Sequence, residues 1–406
     1  MIQNYFLITW RSMMKNKVFI FINVLGLSVA IGCCIVAWFN WEFDAEFDLH
    51  HIQAKEIYRV SSVREFEGQS RLYGYVPVPL GNVMRENIPD ADQVIRMSWS
   101  FSNYKVEDNL FPGELAYVDP GFFEVFSFEM LLGDASGLKD KSRIFLSDEM
   151  ALKLFGSLDV VGKPLTQVIG SAMKEYVVGG VFKKQPANSS FSEGSYVNYE
   201  NYFDEAKDVD EHDWKNRNTL FVLISDKSRV AAVEKQIQAY KENNNKVRED
   251  FLISKFEVEP FIGMAARDEA NDNWSNTKRS SPREAVISPA IMAVLVLLIA
   301  CFNMANTAIA ISSRRLKEIG IRKVMGSMRA QLIFQFMGET AFICAIALVG
   351  GLLLGEVLLR GWNALWVFME LSSHYFDDLS FLLFLIAILA FTALVAGGYP
   401  AFYISR

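Results

Sequence analysis

Four stretches of this 406-residue chain lack charge: Val18–Trp41, Ala285–Ser313, Thr340–Gly355 and Leu379–Ser405 contain no Asp, Glu, Lys or Arg. A helix crossing a bilayer needs roughly 20 mostly apolar residues. Three of the runs meet that length alone, and the third in order reaches it by starting near Phe334 and accepting Glu339. Cysteine is scarce as well, and its four copies (Cys33, Cys34, Cys301, Cys344) all fall inside these runs. Residues 42–284, between the first and second runs, therefore hold none. That excludes a disulfide scaffold and requires a domain folded on an apolar core, for which the segment is long enough.

Other absences narrow the function. The chain has four histidines, and with its cysteines committed to spans no Cys–His or Ser–His–Asp arrangement can be composed. His50 and His51 stand beside Asp44, Glu46 and Asp48. Adjacent side chains diverge, however, and the spacing matches no standard metal site, so juxtamembrane charge explains the cluster. A phosphate loop is missing too. The nearest lookalike, Gly156 to Gly162-Lys163, has five residues between its glycines, and Pro164 stands where a Ser or Thr would meet magnesium. The expectation is a non-enzymatic chain with no cofactor or metal of its own and no nucleic-acid partner.

What is present is a lopsided charge distribution. The net charge is −7, yet residues 1–17 carry Arg11, Lys15 and Lys17 with no acid, and residues 314–329 carry six basic residues against Glu318. Lys and Arg flanking spans mark the cytoplasmic side. Both termini and residues 314–329 are thus expected inside, with residues 42–284 and the loop 357–378 outside. Ala30-Ile31-Gly32-Cys33 loosely resembles a lipoprotein processing box, but the apolar run continues to Trp41, longer than a signal core, and reads as a retained helix.

Along the chain, residues 1–17 suit either an amphipathic helix lying in the headgroup region or an inner extension of the first span. Spans are expected at 18–41, 285–313, 334–356 and 379–405. Within the domain, Glu56–Val63, Pro79–Asn87 and Ala91–Ser100 read as strand, helix, strand. Thr219–Ile224, Ser228–Glu242 and Ile253–Phe261 repeat that order. The fold expected is a four-helix membrane protein with an α+β domain. Its segments 52–101 and 217–262 form a ferredoxin-like split unit, and the intervening 102–216 forms an inserted subdomain. That insertion is expected to hold strands Leu115–Val118, Arg143–Leu146 and Lys174–Phe182 and a helix at Asp148–Phe155. Residues 267–284 read either as a flexible lead into the second span or as a modest loop.

The segment RRLKEIGIRKVMGSMR (residues 314–329) places Ile321, Val324, Met325 and Met328 on one helix face, with Arg322 and Lys323 turned away. From charge alone it is either a topology signal at the lipid surface or a handle for a cytosolic partner. Gly351 and Gly355 form a small-xxx-small pair in the third span, suited to packing within the chain or to a dimer contact. Glu339, near the cytosolic end of that span, reads as snorkelling or structural.

Longer patterns add a family resemblance. KEIGIRKVMGS followed by QLIFQFMGE, and the opening WRSMMKNKVFIFINVLGLSVAIGCC, resemble FtsX/MacB-type ABC transporter permeases. AYVDPGFFEVFSFEMLLGD, FLSDEMALKLFGSLDVVGKPL and YVVGGVFKKQPANSSF look like the MacB-type periplasmic core, and AGGYPAFYISR resembles the end of the fourth span. The resemblance implies a coupling helix at Lys317, Glu318, Ile319, Gly320, Ile321, Arg322 and Lys323. That helix would dock into a separate cytosolic ABC ATPase, which carries the ATP and magnesium. It further implies inner-membrane localisation and a paired permease, with a periplasmic adaptor or lipoprotein as a further partner. Efflux or extraction of a periplasmic substrate is the leading expectation. The alternatives are regulation of a cell-wall hydrolase or envelope sensor, and an inactive half of a longer duplicated permease.

Overall fold

The computed structural model describes all residues except 1–16, 67, 170–171, 207–208, 313–320, 322–323, 326–327, 367, 374, 376–377 and 406. The chain divides into two units, Glu46–Pro282 and a second made of the flanking segments Met1–Ala45 and Arg283–Arg406.

The flanking unit holds four helices long and apolar enough to cross a membrane. They are the first span Lys17–Ala45, the second Arg283–Ser312, the third Arg329–Leu365 and the fourth Leu379–Ser405. The third runs for 37 residues. At 1.5 Å per residue it measures about 55 Å, against a hydrocarbon core of about 30 Å. It therefore outruns the 334–356 expected from hydropathy at both ends. Polar pairs line it: Gln335 Nε2 donates to Glu339 Oε1 at 3.3 Å within the expected span, and Arg360 Nε donates to Glu356 Oε1 at 3.1 Å across its end. Each is an i,i+4 pair on a helix surface. Leu27, Ile31, Ile35 and Phe39 of the first span are fully or nearly fully buried among the other three helices. Trp38 stacks on Phe384 with ring centroids 4.4 Å apart.

The other unit is α+β, built on one twelve-stranded sheet. Its strands are β1 (Ile57–Phe66), β2 (Gln69–Tyr73), β3 (Val76–Pro77), β4 (Gln93–Val106), β5 (Asn109–Val118), β6 (Met130–Gly133), β7 (Arg143–Ser147), β8 (Pro164–Ile169), β9 (Ala172–Phe182), β10 (Ser195–Asn198), β11 (Arg217–Leu223) and β12 (Lys255–Pro260). The main order is β12-β1-β11-β4-β5-β10-β7-β9-β6, with β2 on β1, β3 on β11, and β8 between β4 and β9. The early unit is β1, helix α1 (Pro79–Asn87) and β4, and the late unit is β11, helix α3 (Val230–Ile237) and β12, α2 being the helix Asp148–Phe155. Their strands interleave, each antiparallel to its neighbours.

Side-chain alternation explains the burial. On β11, Leu220 and Val222 enter one core with Leu80, Met84 and Val233, while Phe221 and Leu223 enter another with Ile95, Phe126 and Phe261. A strand apolar on both faces reads as a continuous hydrophobic run and belongs in a sheet covered on both sides. β4 pairs with β11 through Gln93–Met97 and with β8 through Asn103–Lys105. The inserted segment is thus joined to the split unit along a shared strand, with no linker at residue 102.

Local signals set the helices. Pro79 opens α1 with its φ already helical. Ser147 caps α2 by accepting from Met150 N at 3.1 Å, and Gly156 closes it at φ +67°.

The flexible-lead reading of residues 267–284 is corrected. Helix α4 (Met264–Ala270) opens this stretch, Gly74 N donates to Trp274 O at 2.7 Å, and Lys278 N donates to Ser190 O at 3.2 Å. Asp268, Asn273, Thr277 and Ser280 are buried. Polar composition here serves internal hydrogen bonding rather than solvation.

Candidate functional site

Of the residues expected to couple to an ATPase, Lys317, Glu318, Ile319, Gly320, Arg322 and Lys323 lie outside the described residues. Ile321 and Val324 are helical, Met325 lies in a turn and Met328 is extended, and all four residues of the expected apolar face are exposed. The third span begins immediately after, with Met328 N donating to Gln331 Oε1 at 3.1 Å.

Gly351 and Gly355 sit in the seam between the third and first spans. A Cβ at Gly351 would lie 2.6 Å from Ile31 Cγ2, and one at Gly355 would lie 3.2 Å from Ile35 Cγ2. From the other side, a Cβ at Gly32 would lie 3.4 Å from Gly355 N and 3.5 Å from Gly351 O. Backbone therefore faces backbone, as small residues allow. Ser28 Oγ donates to Ala347 O at 3.0 Å one turn earlier. Gly32 and Ser28 are the half of this seam that pattern reading of the third span alone did not reach.

A second constellation lies where the sheet-bearing unit begins and ends. Asp48 follows the first span by three residues, is almost wholly buried, and takes φ +64°. Its Oδ1 accepts from Ser190 N and its Oδ2 from Ser190 Oγ, each at 2.6 Å, while its own N–H donates to Asn188 O at 2.9 Å. Lys278, five residues before the second span, donates through its backbone to Ser190 O and through Nζ to Ala187 O. The loop 187–191 thus holds both chain roots of this unit. Burial pushes the Asp48 carboxyl up to about 7, against the opposing pull of the Ser190 hydrogen bonds and the Lys278 charge.

The neighbouring histidines serve packing. His51 is buried among Phe126, Phe128, Phe191 and Phe261. Its Nδ1 accepts from Ser127 N at 3.2 Å, which fixes the neutral tautomer with the proton on Nε2. Burial, then His50, lowers its pKa to about 3. His50 Nε2 meets Gln185 Oε1 at 2.8 Å.

Behind the roots, Arg59 is wholly buried on β1. It donates to both carboxylate oxygens of Asp268 at 2.6 Å, through Nη1 and Nη2. Its Nε and Nη2 reach Glu259 Oε1 at 2.9 and 2.7 Å. Ser61 Oγ donates to the same oxygen at 2.5 Å, and Asn273 Nδ2 donates to Asp268 Oδ1 at 3.2 Å. Burial alone would lower the Arg59 pKa, but the hydrogen bonds and charges of Asp268 and Glu259 outweigh it and raise it. This network pins α4, and with it the chain running toward the second span, to the sheet. Sequence reading missed it because its members lie about 200 positions apart.

Four spans with a large α+β domain between the first and second define a multi-pass membrane protein of the permease class. The chain belongs to the family with a MacB-like periplasmic core domain, matched over residues 20–240, and an FtsX-like permease C-terminal region, matched over residues 290–406. Among curated proteins it is similar to the macrolide export ATP-binding/permease protein MacB of Mannheimia succiniciproducens, at 20% identity over 55% of this chain and 31% of that one. It is also similar to the MacB proteins of Rhodopseudomonas palustris strain HaA2 (23% identity, 58% of this chain, 33% of that one) and Campylobacter jejuni (28%, 23% and 15%). The matched stretch spans a third or less of these relatives' length. Among solved structures, a domain of a putative permease protein from Porphyromonas gingivalis aligns with TM-score 0.45 at 19% identity, covering 57% of this chain and 94% of that one. The periplasmic region of MacB from Actinobacillus actinomycetemcomitans aligns with TM-score 0.39 at 15% identity, covering 55% and 97%.

Proposed function

We propose that this chain is a permease subunit that passes the stroke of a separate cytosolic ABC ATPase to its sheet-bearing domain. The observation that carries this reading is the fastening of both domain roots to one loop, through Asp48 and Lys278 on 187–191. Displacing the first span relative to the second then strains that loop directly, so membrane motion becomes domain motion. Basic residues at 11–17 and 314–329 favour cytosolic termini and a plasma (inner) membrane location with the domain in the periplasm. The exposed apolar residues Ile321, Val324, Met325 and Met328, interspersed with Arg322 and Lys323, suit a helix gripped by the ATPase. A second permease copy completes the machine, and a periplasmic adaptor or lipoprotein is a further partner. The work done is efflux or extraction of a periplasmic substrate.

The test is a pull-down of the tagged protein from mildly solubilised native membranes, with mass spectrometry of what co-purifies. Wild type is expected to retain an ABC ATPase, and the double charge reversal Arg322→Glu/Lys323→Glu to lose it. Retention and stimulation of the ATPase by the reversed variant would remove residues 317–323 from the coupling role.

A further inference from the structure

At one end of the split unit an arginine is held flat with two of its donors left without an acceptor among the described residues. The Arg217 guanidinium, at the start of β11, lies with its central carbon 3.3 Å from the centroid of Phe251 and 5.3 Å from that of Tyr75. Stacking on a ring fixes the guanidinium plane and leaves its donors to be satisfied in that plane. One contact is the Tyr75 hydroxyl. Yet Nε and Nη2, the pair that forms the two-pronged edge, are buried and meet no hydrogen-bond partner among the described residues.

The surroundings sharpen the imbalance. Arg64 lies over the same Phe251 ring at 4.8 Å. Arg248 is close enough that, after burial, its charge helps hold the Arg217 pKa below the usual value. The carboxylate of Asp250 is already engaged by Arg248 through Nε at 2.8 Å and Nη2 at 2.7 Å. Two guanidinium groups thus lie over Phe251, with the charge of a third, Arg248, acting on Arg217, in a chain whose net charge is −7. Buried donors in folded proteins are almost always paired, and a buried guanidinium edge without an acceptor is costly. A water satisfies a donor but brings no counter-charge. An oxyanion supplies both, and two oxygens match the Nε–Nη2 spacing.

We propose that Arg217, backed by Phe251 and Tyr75 and reinforced by Arg64 and Arg248, is a binding site for an oxyanion group, a carboxylate or phosphate taken bidentately. The aromatic flanks suit an anion carried on an apolar body. The site belongs to the domain itself and does not depend on the ATPase coupling proposed above.

The experiment is isothermal titration calorimetry of the full chain in detergent with sodium benzoate and, separately, inorganic phosphate at constant ionic strength. Saturable binding of at least one probe is expected. Benzoate alone would identify a carboxylate site, phosphate alone a phosphate site, and both a general oxyanion site. Arg217→Lys keeps the charge and removes the fork, so it should weaken binding tenfold or more, whereas Arg71→Lys on exposed β2 should leave it unchanged. Phe251→Leu, which removes the stacking ring, should weaken it several-fold and serves if Arg217→Lys does not fold by circular dichroism. No saturable binding of either probe, or wild-type affinity in the folded Arg217 variant, would overturn the proposal.

Discussion

Asp48 and Ser190 are joined twice, the serine's backbone N–H and its hydroxyl each reaching one carboxylate oxygen at 2.6 Å. The two lie 142 positions apart in sequence, with Asp48 three residues beyond the first span, so the pair fixes where the chain enters its large domain.

This pair gives a pH dependence of known sign. The Asp48 pKa is raised in the folded protein to about 7 from 3.8, so between those values the native state holds more protons than the unfolded state. Its contribution to stability is fully present below about pH 4 and declines as pH rises toward 7. Asp48→Asn removes that slope. The melting temperature of wild type relative to the variant is expected to fall from pH 4.5 to 7.5, then flatten. A parallel pair of curves would place the ionisation elsewhere. His51, lowered to about 3, acts in the opposite sense in both proteins and cancels from the difference.

The buried network around Arg59 should be intolerant of losing one member. Asp268→Ala leaves a guanidinium with no exposure facing Glu259 alone, and is expected to destabilise the domain by about 3–5 kcal/mol, the range for breaking a buried ion pair. Denaturant titration followed by tryptophan fluorescence measures it. Limited proteolysis should show new cleavage within residues 271–282, because α4 then loses its ion pair to β1.

In the membrane seam, Gly351→Val would place carbon against Ile31, where 2.6 Å is available even for a single Cβ. Overpacking of this kind costs roughly 1–3 kcal/mol. Gly338→Ala in the same helix meets nothing within 4 Å and should be neutral. Thermal unfolding of both variants in detergent separates a packing seam from a general intolerance of the third span.

Helix α2 offers a local control. Ser147→Ala removes the hydroxyl that accepts from Met150 N and should cost about 1 kcal/mol. Gly156→Ala, at φ +67°, strains the closing residue by roughly 1 kcal/mol or somewhat more. The two lie at opposite ends of the helix, so their effects on the melting temperature should add.

Legibility in the sequence followed signal length and locality. Pro79–Asn87 and Asp148–Phe155 were readable because Pro79, Ser147 and Gly156 mark helix ends by local chemistry. Uncharged runs revealed the four spans, although helix ends continued past them wherever i,i+4 polar pairs such as Glu356–Arg360 carry the helix on. The short strands β3, β6 and β10 were not anticipated, since two to four residues hold too little alternation to register. The root clamp and the Arg59 network were hidden for another reason. Their residues (Asp48, Ser190, Asp268, Asn273) are polar, and polar residues in a loop look solvated until distant partners are known.

The interleaving of β1 between β11 and β12 has a mechanical consequence. A pull along β1 from its N-terminal end loads the hydrogen bonds on both edges sideways, all at once, instead of peeling them one after another. Strands loaded in that direction resist as a group and yield abruptly. The sheet would therefore answer a tug on that end as one stiff body, with little of the displacement lost to stretching between strands.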